Sequence, residues 1–173
     1  VRGAAQGEGL GNQFLGNIRE VDAIAHVLRC FEDTDITHVD GTVDPLRDAD
    51  TVETELMLAD IDSLERRMTA LVKKTRGGDA EAKRDLALME KLLPQLADGV
   101  PVRRASGLTQ DEEKLVPQLQ LLTSKPVLYV CNVAEAEAAT GNAHSAAVAA
   151  HAKAEGAAHV VVSAAIEAEI TQL

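Results

Sequence analysis

Lys125-Pro126-Val127-Leu128-Tyr129-Val130-Cys131-Asn132-Val133-Ala134-Glu135 decides how this chain is read. A short run rich in apolar and β-branched residues after a proline suits a buried parallel strand covered on both faces. Asn132 then falls at the carboxyl end of that strand, the edge at which open α/β sheets hold ligands. An Asn-x-x-acid tetrad has the right chemistry for a purine. The Asn amide can bond the N7 edge while the carboxylate accepts from a ring or exocyclic N–H. The guanine-reading version of the tetrad has Lys second and Asp last, and this chain has Val133 and Glu135 there. Alone the tetrad is a weak signal, because a strand ending in a polar turn looks much the same.

A second strand signal lies downstream at His159-Val160-Val161-Val162, running into Ser163-Ala164-Ala165. Small residues there let a backbone approach a flat base closely. Between the two signals, Ala143 to Glu155 is Ala-rich and helical, and Gly156 is placed to cap its C-terminus. Strand, helix and strand make a crossover unit, which puts both loops on one edge of a sheet. Ser163 has no His and acid partners at nucleophile spacing, so the small-residue loop is its better explanation.

Near the start, Gly7, Glu8, Gly9, Gly11 and Asn12 belong to a Gly-rich loop running into a helix. Its glycine spacing matches neither the Walker A nor the dinucleotide pattern, and no Gly-Lys-Ser/Thr follows. A loop so rich in glycine suits a change of shape. With the tetrad, the segment Asn17 to Ile24, His38 to Gly41 and Asp44-Pro45, these residues carry a resemblance to the Obg-like ATPases, the YchF branch of the P-loop NTPases. It covers almost the whole chain.

The resemblance implies an α/β fold, a partial P-loop NTPase-type parallel sheet with an inserted antiparallel helical hairpin, or coiled coil. It implies that the Gly-rich loop is switch II, that Asn132, Val133 and Glu135 with Ser163, Ala164 and Ala165 hold the base, and that ATP is preferred to GTP. ATP and Mg²⁺ are the implied cofactors and the ribosome the implied partner, in the cytoplasm. The chain has no Gly-x-x-x-x-Gly-Lys-Ser/Thr, and catalytic, phosphate and Mg²⁺ ligands are expected upstream of Val1, so it reads as part of an ATPase and inactive alone. The competing reading is a non-catalytic hairpin module that binds a ribosome or protein.

Between the first strand, near 23 to 31, and the tetrad strand, Met57, Ile61, Leu64, Met68 and Leu71 alternate steps of four and three. Ala82, Leu86, Met89, Leu93 and Leu96 repeat the pattern, as heptad seams do. Asp50 with Glu53 suggests a capping box, Gly77-Gly78 a break, and Asp79 a second cap. Helices of about 25 residues would reach about 37 Å, and Pro94 should kink the returning one. The domain expectation is 1–45 for the switch loop and first strand, 46–100 for the hairpin, and 101–173 for the base-reading remainder.

Formal net charge is −11, which argues against DNA as a partner. Arg66, Arg67, Lys73, Lys74, Arg76, Lys83 and Arg84 nevertheless crowd the hairpin tip against Asp79 and Glu81, a local excess of five positive charges. Such a tip suits phosphate contact through Lys73, Lys74, Arg76, Lys83 and Arg84, or is simply a solvated turn. Aromatic content of 2% means an aliphatic core and gives no basis for base stacking at the tip. No apolar run approaches the ~18 residues needed to span a bilayer. Cys30 and Cys131 lie in apolar strands as free buried thiols, and the five histidines show no metal spacing.

Overall fold

A computed structural model describes residues 11–33 and 41–172, with the side chains of 11–13 excluded. In chain order it contains α1 (Gly11–Glu20), β1 (Ile24–Arg29), α2 (Pro45–Arg76), α3 (Ala80–Ala97), α4 (Gln110–Leu115), β2 (Val127–Asn132), α5 (Ala143–Glu155), β3 (Ala158–Val162) and α6 (Ala164–Ile170), with short 3-10 turns between. The described residues fall into two compact units. Those of Val1–Asp22 and Val52–Pro126 form one, and those of Ala23–Thr51 and Val127–Leu173 the other.

The second unit is α/β. Its sheet has the order β1-β2-β3, with both pairings parallel. Leu28, Cys30, Tyr129, Cys131 and Val133 face Val148 and Ala152 of α5 and Ala49 of α2 in one aliphatic cluster. Tyr129, 3% exposed, satisfies its hydroxyl by donating to Glu155 Oε2 at 2.8 Å. The expectation of strands covered on both faces is corrected here. Val27, Val130 and Val160 form one row across the other face, and Val27 and Val160 are 63% and 39% exposed. Residues alternate between faces in a strand, and only one face is packed among the described residues. Cys30 and Cys131 are free thiols, both fully buried, and burial with the neighbouring Cys131 sulfur pushes the Cys30 thiol up to about 12.

The first unit is helical. α2 starts at Pro45, not at the Asp50/Glu53 box expected from sequence. Proline at the first helical position has no N–H to leave unpaired, and Asp44 Oδ1 accepts from Arg47 N at 3.1 Å as the cap. Glu53 instead pairs with Arg103 at 2.8 Å. At 32 residues α2 is about 48 Å long, against about 27 Å for the 18 residues of α3. Gly77-Gly78 separate them, and Asp79 caps α3 by accepting from Glu81 N and Ala82 N, both at 3.0 Å. Pro94 lies in the last turn of α3, three residues before its end.

The helix pairing departs from a two-helix seam. Leu88 and Leu92 are fully buried, while Leu86 and Leu93 of the expected stripe are half-buried. The buried face is wider because Val102, Leu115, Leu119 and Leu121 join the same cluster. A third layer demands more of each helix than a coiled-coil seam does. Asp60, fully buried, ties that layer down. Its carboxylate accepts from Leu122 N and Thr123 N at 2.8 Å and from Thr123 Oγ1 at 2.7 Å. Burial pushes the Asp60 carboxyl up from its ordinary range, and the three donors and Arg19 act against that rise.

Candidate functional site

Parallel pairing and the α5 crossover bring the loop after β2 and the loop after β3 to the carboxyl edge of the sheet in the α/β unit. Asn132 is the last residue of β2, and Ser163 follows β3 directly. Asn132 Oδ1 accepts from the Ala164 N–H at 2.9 Å, so the two loops are joined by a side chain of one and the backbone of the other. Only an oxygen can accept from that N–H, which fixes the amide with its Nδ2 group away from Ala164. Glu135 is exposed and begins a short 3-10 turn, Glu135–Glu137.

Val133 sits differently from the expectation that it packs on the base or bonds it. Its side chain is 3% exposed inside the sheet cluster, and its N–H donates to Val162 O at 2.9 Å. Residue parity puts it on the α5 face, and extending the ladder past Asn132 consumes its donor. Ser163 is buried with no hydrogen-bond partner for its Oγ among the described residues, while Ala164 and Ala165 are exposed in the first turn of α6. Gly7, Glu8 and Gly9 of the expected switch loop lie outside the described residues, as do His38 to Asp40. Gly11 and Asn12 form the first turn of α1.

The loop has a second set of fastenings that the sequence reading missed. Asn142, the N-cap of α5, donates from Nδ2 to the Cys30 carbonyl at 2.6 Å and to Glu137 Oε2 at 2.8 Å. Its Oδ1 accepts from Ser145 N at 3.0 Å in a capping box. Gly141 precedes it with φ +70°, and a Cβ there would come within 2.6 Å of Ser145 Oγ. The detectable signal was Gly-Asn with Ser three residues on, which marks a helix start.

At the hairpin turn, the basic cluster divides. Arg66 pairs with Asp62 at 2.8 Å, Arg67 donates to the Leu119 carbonyl at 2.6 Å, and Arg84 approaches Glu81 at 3.5 Å and Asp85 at 3.4 Å. Helical spacing places Asp62 and Asp85 beside these cations, which lowers the counted excess from five to three. Lys73, Lys74, Arg76 and Lys83 remain exposed around the turn. Among the described residues, no helix is long and apolar enough to cross a membrane.

No family model matches the chain. Individual relatives do. The ribosome-binding ATPase YchF of Haemophilus influenzae is 50% identical over 173 residues, all of this chain and 47% of that protein. Its namesake in Bacillus subtilis is 46% identical over 175 aligned residues, all of this chain and 48% of that protein. The solved structure of the Schizosaccharomyces pombe YchF GTPase superposes with a TM-score of 0.81 at 33% identity, over 95% of this chain and 46% of that one. A sheet with parallel crossovers and a helical hairpin inserted between its first two strands is the arrangement this likeness carries. Over all 173 of its residues the chain is a homologue of the YchF family, and it spans about half the length of the curated relatives it matches.

Proposed function

We propose that these residues carry the purine-reading part of a nucleotide-binding ATPase. The observation that supports this best is the 2.9 Å bond from Ala164 N to Asn132 Oδ1. It orients the Asn132 amide before any ligand arrives, so Nδ2 is the donor available to a purine N7. Glu135, exposed on the same loop, accepts from the adenine N6 amine. Ser163, Ala164 and Ala165 form the opposite side of the base, and Val133 anchors the loop from below. Guanine presents N1–H and N2–H₂ at a fixed depth, which suits an Asp better than the longer Glu. A good pair here is worth about 1 to 3 kcal/mol, enough for an ATP preference of about tenfold.

ATP and Mg²⁺ are the cofactors of the proposed reaction. The chain carries no Gly-x-x-x-x-Gly-Lys-Ser/Thr to cradle the phosphates and supply the hydroxyl for Mg²⁺, so those ligands are assigned to the rest of the intact protein. Hydrolysis is therefore assigned to the intact protein. The exposed Lys73, Lys74, Arg76 and Lys83, with Arg84, are proposed to contact ribosomal RNA phosphates, in keeping with the ribosome-binding names of the relatives and a cytoplasmic place of work.

Calorimetric titration of ATP and GTP tests the reading. ATP should bind the tighter of the two, and Asn132→Ala should weaken both. Tighter GTP binding, or an Asn132→Ala variant with unchanged affinity, refutes it.

A further inference from the structure

We propose that Asn142 is a positioning residue for base recognition, an inference that rests on the purine-reading role of the Asn132 to Glu135 loop. That loop is fastened on both sides. Toward β3, Asn132 Oδ1 holds Ala164 N and Val133 N holds Val162 O. Toward β1, the only side-chain fastening among the described contacts is Asn142, whose two Nδ2 hydrogens are divided between the Cys30 carbonyl at 2.6 Å and Glu137 Oε2 at 2.8 Å.

Glu137 closes the 3-10 turn that Glu135 opens, and its backbone is held by Ala134 O at 3.0 Å and Gly141 N at 2.7 Å. Fixing the Glu137 carboxylate therefore fixes the turn that aims Glu135. Asn142 is itself immobilised, because its Oδ1 accepts from Ser145 N and its N–H donates to Ser145 Oγ at 2.8 Å. All donors and the oxygen of the amide are used, so its orientation is single-valued. A pre-set loop loses less freedom when a base arrives, and that saving appears as affinity.

The cap and the clamp can be separated. Asn142→Asp keeps an oxygen for Ser145 N, and Asp caps helices as well as Asn does. It removes both Nδ2 donors and puts a second carboxylate beside Glu137. Glu137→Gln in the same chain restores the Glu137 half of the link with its polarity reversed, since the side-chain amide it introduces then donates to the new carboxylate, while the Cys30 carbonyl stays without its donor.

Adenosine is the probe, because it reports the base site without phosphate contacts. It is titrated by NMR into the 173-residue chain, with a thermal melt of each variant. Asn142→Asp should weaken adenosine about fivefold while the variant still melts cooperatively, at a somewhat lower temperature, and the double variant should recover part of that loss of affinity. Unchanged adenosine affinity in Asn142→Asp overturns the proposal, as does a loss that the double variant does not lessen. Asn132→Ala distinguishes the underlying reading. If that variant loses adenosine while Asn142→Asp does not, base reading stands and the clamp falls. If Asn132→Ala has no effect, base reading itself fails.

Discussion

Replacing Asp60 by alanine should be among the most damaging single changes in the helical unit. The carboxylate is fully buried and is the acceptor for three donors at 2.7 to 2.8 Å. Leu122 and Thr123 are themselves fully buried, so after truncation their two N–H groups face neither water nor an acceptor. Each orphaned donor of this kind costs about 1–3 kcal/mol. The Thr123 hydroxyl retains a partner, because it accepts from Val102 N at 3.1 Å. The sum is about 4 kcal/mol, a large part of the roughly 5–15 kcal/mol that holds an ordinary domain together. Urea unfolding followed by far-UV circular dichroism reads this directly, since α2 and α3 supply much of the helical signal. At an m-value of about 2 kcal/mol/M, the midpoint should fall by about 2 M. The milder Asp60→Asn change keeps one acceptor and should lose about half as much. A loss below about 1 kcal/mol in the alanine variant would show that Asp60 does not secure the third layer.

Three further outcomes follow from the same geometry. Lys91 first, and then the Thr109 N–H, hold the Glu112 carboxyl below the usual carboxylate range. Its contribution is thus present above that range and lost as pH falls through the depressed value; the stability gap between wild type and Glu112→Gln should be open at pH 7 and narrow as pH is taken below the carboxylate range, and a gap constant with pH refutes it. Reversing Lys73, Lys74 and Arg76 to Glu should reduce co-sedimentation with ribosomes most at low salt while ATP affinity holds, and an unaltered salt series returns the turn to a merely solvated surface. Val27→Thr with Val160→Thr should lower self-association of the chain in sedimentation velocity, because both side chains lie on the exposed sheet row. Equal association in the variant would mean that this face is not the adhesive one.

Where the reading depended on local backbone chemistry, residues near one another in sequence were enough. The crossover helix from Ala143 to Glu155 and its left-handed Gly156 cap, at φ +70°, follow from alanine propensity and the one residue that tolerates that conformation. Gly77-Gly78 and Asp79 mark the hairpin turn for the same reason. The start of α2 was misjudged because two acidic residues at capping spacing occur within the helix, and Asp44-Pro45 is the stronger signal.

The sequence by itself determined the parallel α/β plan, the hairpin and the strand end on which Asn132 stands, since periodicity, caps and breakers act over a few residues. Only the tertiary structure decided the rest. That Leu88 and Leu92 are buried instead of Leu86 and Leu93 depends on residues 102–121 folding onto the hairpin. That Val133 turns into the sheet depends on ladder register. That Asn142 grips Cys30, 112 residues away in sequence, and that Asp60 grips Thr123, 63 away, depends on long-range closure. A hydrogen bond across such a distance leaves no period in the sequence. It is set by which buried donors need an acceptor once the elements have packed.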